Sequence, residues 1–566
     1  MTDWSETYDL VVIGAGTGGM AAALAASFAG RSVLLVEKTD RMGGSTAISG
    51  GAVWAPLNAQ TAQVGHPDTH EKVTTYLRNT VGDASPVAMQ QAFLRHCAEA
   101  VDFFEKNTHV KLLARSYSPD YYPDREGAAL GGRSLDPLMF DGRLLGKEAF
   151  RELRDPLPEF MVLGGMMITM TDAKHLLAVT KSFASWREGM KLVLRFFGDR
   201  LSGYHRGTRL VLGNALAARL FRSVLDRKIP YWLNTPLQRI HVENGRATGV
   251  AVLRGGKPVN VQARCGVVVA TGGFPWNEAL RKQTYPQPTG PWSMSPAGNR
   301  GDGIVIAMQA GAALGTGHAS PAFWAPVSIL EKPDGTQVRY PHLVWDRAKP
   351  GLMAVNAAGK RFVNESTSYH EFVLAMYRSN QTVPTLPAFL VCDHDFIERW
   401  GLGLALPGGR PREHLVRAGY LHKAGTLDQL AAQLKIDAKG LAQSAQRFNQ
   451  FADTGVDEDF GKGGTAYNQY LGDPDHRPNA CLGPLGNGPF YAVKVYAGDI
   501  GTACAIACNE NAQALDTSGQ PIPGLYMAGN DMHSVMGGQY PAPGITLGPA
   551  LTFGWVAGRH AAGAAL

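Results

Sequence analysis

Gly14, Gly16 and Gly19 stand in G-x-G-x-x-G spacing, with Gly18 between them, and Glu37 follows 23 positions after Gly14. These residue types at this spacing grip a dinucleotide. Gly14 permits a tight strand-to-helix turn, and Gly16 lets a pyrophosphate approach free N–H groups at a helix amino terminus. Gly19 lets helix and strand pack closely, and the carboxylate of Glu37 accepts hydrogen bonds from a ribose. The motif alone is a weak signal. Here it sits in register: Tyr8 and Leu10 to Ile13 read as a buried parallel strand, Met20 to Gly30 as an Ala-rich helix, and Ser32 to Glu37 as a second strand ending in the acid.

The flanking segments favour FAD over NAD. After Glu37 comes Lys38, then Gly43, Gly44, Ser45 and Thr46, then Gly50 and Gly51. Glycine pairs separated by small hydroxylic residues suit a loop running against a flat ring and a phosphate chain. The carboxyl end offers a second half-site. Gly524 to Met527 reads as an apolar strand leading to Gly529 and Asn530, and the run from Pro543 through Gly544 and Leu547 opens a final helix. That helix end suits a flavin ring that gains negative charge on reduction. A third strand from Gly266 closes on Ala270 and Gly272, and Asp302 heads another Gly-rich loop into a helix. No histidine lies between Glu37 and Trp54, so the FAD is expected to be non-covalent.

These elements imply an α/β chain: a two-dinucleotide-binding, Rossmann-like FAD domain carrying an inserted α+β catalytic domain. The expected boundaries are 1–310 for the first part of the FAD domain, 311–497 for the catalytic domain and 498–566 for the return segment. A chain of 566 residues with 45% hydrophobic and 18% charged residues is ordinary for a globular enzyme of two or more domains. A net charge of +6 does not call for nucleic acid. The six cysteines are scattered, and the first strand starts almost at once, so free thiols in a reducing cytoplasm are expected. Cys504 and Cys508 have no His or Cys partner near them along the chain, and no metal is expected.

Helices are predicted over 71–80, 86–107 and 213–227, with a β-rich stretch over 231–262. Residues 150–205 form an unusual insertion. Phe160 to Met170 is apolar but about half the length needed to span a bilayer. Residues 173–201 then alternate Lys174, Lys181, Arg187, Lys191 and Arg195 with Phe183, Trp186, Leu192, Leu194, Phe196 and Phe197. Two readings stay open: a helix packed on the core or on a second subunit, and a helix lying in the membrane interface at the inner face.

Four segments carry a resemblance: Pro119-Asp-Tyr-Tyr122, Asn364-Glu-Ser-Thr-Ser-Tyr-His-Glu-Phe372, Asn487-Gly-Pro-Phe-Tyr-Ala492 and Gln539-Tyr-Pro-Ala-Pro-Gly544. Together with the FAD motifs, they make the chain similar to the 3-ketosteroid Δ1-dehydrogenases of the fumarate reductase and succinate dehydrogenase flavoprotein superfamily. The likeness spans nearly the whole length. The insertion around 140–205 resembles the longer members, which take sterols still bearing the side chain. The resemblance implies that Tyr540 and the Gly544 amide hold the steroid C3 carbonyl, that Tyr369 takes a proton from C2, and that Tyr121 assists it, with Tyr117 and Tyr122 as alternatives for that last role. It implies a substrate such as cholest-4-en-3-one or androst-4-ene-3,17-dione and an electron acceptor, quinone or other. Glu365 is expected to be structural. The rivals are a fumarate reductase, a Δ4(5α)-ketosteroid dehydrogenase and a flavin-bearing membrane or scaffold protein without turnover.

Overall fold

The computed structural model describes residues 2–566 other than 178, 181, 345 and 487. An eight-stranded sheet forms its first layer, in the order Tyr231–Trp232, Val33–Val36, Glu6–Ile13, Lys257–Val269, Arg246–Arg254, Leu237–Glu243, with Pro521–Met527 and Gln513–Leu515 added beside Lys257–Val269. The strands behind the glycine motif are parallel, with Leu10 opposite Val33 and Ile13 opposite Val36. They are continuous apolar runs because helices cover both faces, leaving no polar side to alternate with. Pro521–Met527 pairs in parallel with Lys257–Val269, so the carboxyl end of the chain completes a sheet begun at its amino end.

The helices Thr17–Phe28 and Leu547–Ala561 pack tightly on one another. A Cβ at Gly554 would stand 2.4 Å from the Gly18 carbonyl oxygen, and one at Gly558 would stand 2.3 Å from that of Ala22. Only glycine at these two positions permits such a backbone approach, which locks the two ends of the chain around the cofactor segment.

A second, antiparallel sheet runs Gln337–Pro341, Ala322–Glu331, Phe490–Thr502, Ala388–Cys392, Leu352–Val355, with Leu421–Ala424 also paired to Phe490–Thr502. Helix Tyr369–Asn380 packs on strand Ala322–Glu331. Strand Phe490–Thr502 runs through residue 498, so the chain leaves this sheet after Thr502 rather than at 497. The strand pairs with Ala322–Glu331 as far as Thr502, and ladder hydrogen bonds rather than the local sequence set its end.

The helices expected over 71–80, 86–107 and 213–227 appear as His70–Thr80, Val87–Asn107 and Leu212–Asp226. The amphipathic stretch over 173–201 is two helices, Met170–Leu177 and Phe183–Leu201, preceded by a hairpin of Met161–Val162 and Met166–Met167. Lys181, the Lys174 side chain and Asn487 lie outside the described residues. Among the described residues no helix is long and apolar enough to cross a membrane.

Candidate active site

A cavity of about 2000 Å³ is lined from both sheets. Its cofactor end gathers Gly14, Gly16 and Gly18, Glu37 and Lys38, Gly44, Ser45 and Thr46, Gly50 and Gly51, Ala270 and Gly272, Asp302, Gly529 and Asn530, and Gly544 and Leu547. Gly16 caps helix Thr17–Phe28, whose first turn carries no acid, so the positive end of the helix opens on the cavity. The nearest heavy atom to a Cβ on Gly16 would be 4.0 Å away, which leaves space beside the backbone for a phosphate. The Glu37 carboxylate accepts from the Ala15 amide at 3.1 Å and from the Thr39 amide at 2.9 Å. An ionised carboxylate has about four acceptor positions, so capacity remains for ribose hydroxyls. Lys38 forms an ion pair with Asp302 at the rim of the same cradle. The donor set fits FAD, and no histidine or cysteine lines the cavity among the described residues.

Gly19 and Gly43 do not line the cavity, although the sequence places them at the cofactor. A Cβ on Gly19 would meet the Gly14 carbonyl oxygen at 1.8 Å, and one on Gly43 would meet Ala47 and Ala217 at 3.0 and 3.2 Å. Both residues shape the chain around the cradle instead of touching its contents.

Three phenols converge at the other end. The Tyr121 hydroxyl donates to the Tyr369 oxygen at 3.1 Å. The Tyr540 ring lies 5.5 Å from that of Tyr121, stacked, and 5.1 Å from that of Tyr369, edge-on. All three are buried and line the cavity. Tyr122 turns away, donating to Glu371 at 2.7 Å, and Tyr117 packs on Tyr470, whereas Tyr121 is the one of the three that hydrogen-bonds Tyr369 among the described residues.

Each phenol is held from behind. Tyr369 is the first residue of helix Tyr369–Asn380, whose cap residue Ser368 accepts from the Glu371 amide at 3.2 Å. Buried Arg347 donates to the carbonyls of Glu365 and Thr367 at 2.8 and 3.1 Å, fixing the loop that delivers Tyr369. The loop of Tyr121 is pinned by Arg133, which is buried between Asp68 and Asp120 at 2.8 and 2.7 Å. The Tyr121 amide and the Tyr76 hydroxyl both donate to the Pro541 carbonyl, at 2.8 and 2.6 Å.

Gly544 completes the group. Its φ is +95°, and a Cβ there would stand 2.5 Å from the Trp54 nitrogen, so no other residue fits without strain. Its carbonyl accepts from the Trp54 and Gly548 amides, its own N–H enters no backbone hydrogen bond among the described residues, and the residue lines the cavity.

Glu365 is structural. It is fully buried and accepts from Arg361 at 2.8 Å and from the Ala354 amide at 3.0 Å. Arg361 also binds Asp457 at 2.8 Å, which leaves it no fork for a substrate.

Burial sets the titration of the phenols. It pushes Tyr369 and Tyr121 well above the ordinary tyrosine value, and Tyr540 up to about 12. Tyr540 therefore keeps its proton and can donate at any working pH. Tyr369 is protonated at neutral pH, so a reaction that needs its anion accelerates as pH rises. With chemistry rate-limiting, log kcat is expected to climb with a slope near one between about pH 7 and 9. Stopped-flow reduction rates across that range check this, and a flat profile excludes a phenolate base.

Three residues to which sequence reasoning assigned no role also shape the site. Asn299 donates to the Gly272 carbonyl and to Ser45, both at 3.0 Å, tying two cradle loops together. Asp531 accepts from the Gly273 amide at 2.7 Å and from Thr271. Tyr467 packs its ring 4.6 Å from Tyr121. Asn299 and Asp531 sit beside motif residues, a usable signal. Tyr467 had none, because only folding brings it to the site.

Residues 9–547 match the FAD binding domain family. The chain is 39% identical to 4-oxocyclohex-2-ene-1-carboxylate 5-dehydrogenase of Sinomonas cyclohexanicum over 560 residues, covering 98% of this chain and 93% of that one. It is 36% identical to 3-oxosteroid 1-dehydrogenase of Mycolicibacterium smegmatis, covering 98% and 96%. Its fold is similar to the crystal structure of 3-ketosteroid Δ1-dehydrogenase from Sterolibacterium denitrificans in complex with 1,4-androstadiene-3,17-dione, with a TM-score of 0.92, 37% identity and coverage of 99% and 100%. With its cradle, its phenols and these relatives together, the chain belongs to the family of FAD-dependent dehydrogenases that contains the 3-oxosteroid 1-dehydrogenases.

Proposed function

We propose that the enzyme desaturates ring A of a 3-ketosteroid between C1 and C2. The observation that carries this is the meeting of three buried phenols with the Gly544 N–H in one apolar cavity. A C–H beside a ketone is too weak an acid for any side chain unless charge on the oxygen is stabilised. The Tyr540 O–H and the Gly544 N–H are two donors suited to that oxygen, in a cavity whose walls are mostly apolar. Tyr369 takes the C2 proton, and Tyr121, hydrogen-bonded to it, stabilises the anion or passes the proton on. Bound FAD would supply the acceptor for the hydride that leaves C1.

The surroundings argue against the rivals. A fumarate reductase site needs Arg and His to grip two carboxylates. Here Arg361 is consumed by Glu365 and Asp457, and His370 is buried, accepts from the Trp324 amide at 3.2 Å and is pushed down to about 3 by burial. A single-ring ketone acid, such as the substrate named for the Sinomonas relative, would use the same proton chemistry. The cavity also has apolar walls that suit a fused-ring ketone, with Leu157, Phe160, Met161, Leu343, Trp400 and Leu402 among them. The test is anaerobic mixing of the holoenzyme with androst-4-ene-3,17-dione, cholest-4-en-3-one, a 5α-saturated 3-ketosteroid and 4-oxocyclohex-2-ene-1-carboxylate, following flavin bleaching and product mass. Bleaching by the first two with loss of two hydrogens from ring A supports the proposal. Desaturation at C4–C5 of the saturated steroid, or reaction with the single ring alone, overturns it.

Helix Phe183–Leu201 fits attachment to a membrane surface. Phe183, Trp186, Leu194, Phe197 and Leu201 recur at helical spacing on its solvent face, with Phe183 76% and Leu201 89% exposed. Exposed Arg187, Lys191 and Arg200 flank them, and Val193 of the same helix lines the cavity. An apolar stripe edged by cations suits anionic lipid, and a lipid-borne sterol would then enter beside its own binding chamber. A quinone acceptor would be at hand in the same bilayer. The enzyme is expected to float with phosphatidylglycerol vesicles. The double variant Trp186→Ser, Leu194→Ser is expected to partition at least about tenfold less, given roughly 1.5–3 kcal/mol for each large apolar side chain buried. Equal flotation of the two proteins removes the assignment.

A further inference from the structure

His318, Cys504 and His533 are 186 and 29 residues apart along the chain, yet one ligating atom from each lies within 4.8 Å of the others. The sequence reading left Cys504 without a histidine partner, and folding supplies two. His318 lies in the connection just before strand Ala322–Glu331, where the chain enters the second sheet. Cys504 follows strand Phe490–Thr502, where the chain leaves that sheet. His533 lies just past Gly529–Asp531, the turn that reaches the cofactor cradle.

These three side chains are poorly satisfied by the protein itself. Both ring nitrogens of His533 and Nδ1 of His318 are buried without a hydrogen-bond partner. The Ala505 carbonyl lies near His533 but does not reach its ring with ordinary hydrogen-bond geometry. The Cys504 thiol has only a long contact to the Gly315 carbonyl, 3.8 Å. The two imidazoles face one another with ring centroids 5.4 Å apart. Residue 315 must be glycine for this arrangement, since a Cβ there would stand 2.2 Å from His533 Nδ1. Buried polar atoms without partners are rare, and three such nitrogens beside a weakly held thiol point to a shared ligand.

We propose that His318, Cys504 and His533 bind a borderline-soft divalent cation, Zn²⁺ foremost, which ties both crossings between the two sheets to the cofactor turn. Two imidazoles and a thiolate are a donor set that zinc prefers, with a water or the Gly315 carbonyl as fourth ligand. Zinc distances of about 2.0–2.1 Å to nitrogen and 2.3 Å to sulfur require the donors to close by roughly 1 Å. Half-buried His318 can supply that movement, because it follows Gly317, whose φ is +81°. A thiolate is the ligating form of cysteine, so metal binding at Cys504 releases one proton. None of the three residues lines the large cavity, so the ion clamps the fold and takes no part in the proton and hydride chemistry.

The test uses holoenzyme stripped with a chelator and dialysed against Zn²⁺ or Co²⁺. One ion per chain is expected, along with a rise in Tm and, for Co²⁺, tetrahedral d–d bands to the red of the flavin absorption. Cys504→Ser and His318→Gln are each expected to weaken binding more than about tenfold and to abolish the Tm rise. Flavin content and the Tm in chelator stay at wild-type values in His318→Gln, which keeps the test decisive if the buried cysteine variant folds poorly. Failure to bind one ion per chain, or binding that survives both substitutions, overturns the proposal.

Discussion

Tyr540→Phe is expected to lower kcat by roughly 10²–10³-fold, equivalent to about 3–4 kcal/mol, while KM changes little. The substitution removes one oxygen and leaves the ring. That ring is packed against Tyr121 and Phe323, both with centroids at 5.5 Å, and none of these contacts involves the hydroxyl. Folding and flavin content therefore stay at wild-type levels, because Tyr540 is no part of the nucleotide cradle. The loss falls on kcat because the ketone oxygen is nearly neutral in the bound substrate and gains its charge only as the neighbouring proton departs. Gly544 alone would then face that charge. Gly544→Ala is a poorer test of the same idea, since φ +95° and a Cβ 2.5 Å from the Trp54 nitrogen disrupt the backbone along with the donor. Rapid-quench rates of Tyr540→Phe within about threefold of wild type would remove the carbonyl grip from the mechanism.

What could be read before folding follows from how local each signal is. The cradle was legible because its parts are short, covalently adjacent patterns: glycine spacing, apolar strand, acid. Gly19 was read as a packing glycine and the Gly14 carbonyl does fill its Cβ space, whereas Gly43, read with the ring-facing loop, stands off the cavity, because a glycine required for packing and one required for ligand approach look the same in sequence. The end of strand Phe490–Thr502 was not legible locally because it is set by a partner more than 150 residues earlier, at Ala322–Glu331. The break in the segment 173–201 was blurred because both helices, Met170–Leu177 and Phe183–Leu201, are amphipathic. Tyr121, Tyr369 and Tyr540 came from the family resemblance, and folding alone decided between Tyr121 and its neighbour Tyr122. Tyr467 and the His318, Cys504 and His533 cluster had no local signature at all. Their relation is purely tertiary.

Tyr369→Phe is expected to cost roughly 10²–10⁴-fold in kcat, the range for a lost general base, and to flatten the rise of rate with pH. Tyr121→Phe separates the base from its helper. The Tyr121 hydroxyl lies 3.1 Å from that of Tyr369, and once Tyr369 ionises it is a donor to the phenolate. Because a donor to the phenolate stabilises the charged form, removing it makes Tyr369 harder to ionise. The rate at neutral pH is expected to fall about tenfold, corresponding to about 1.4 kcal/mol, and the alkaline limb to move to higher pH without disappearing. The two substitutions act on one proton, so the double variant should be no slower than Tyr369→Phe alone. The pair of pH profiles therefore assigns the roles. A Tyr369→Phe enzyme that keeps its slope, beside a Tyr121→Phe enzyme that loses it, would show that the proton leaves C2 for Tyr121. The helix amino terminus under Tyr369 would then serve only to hold that ring in place.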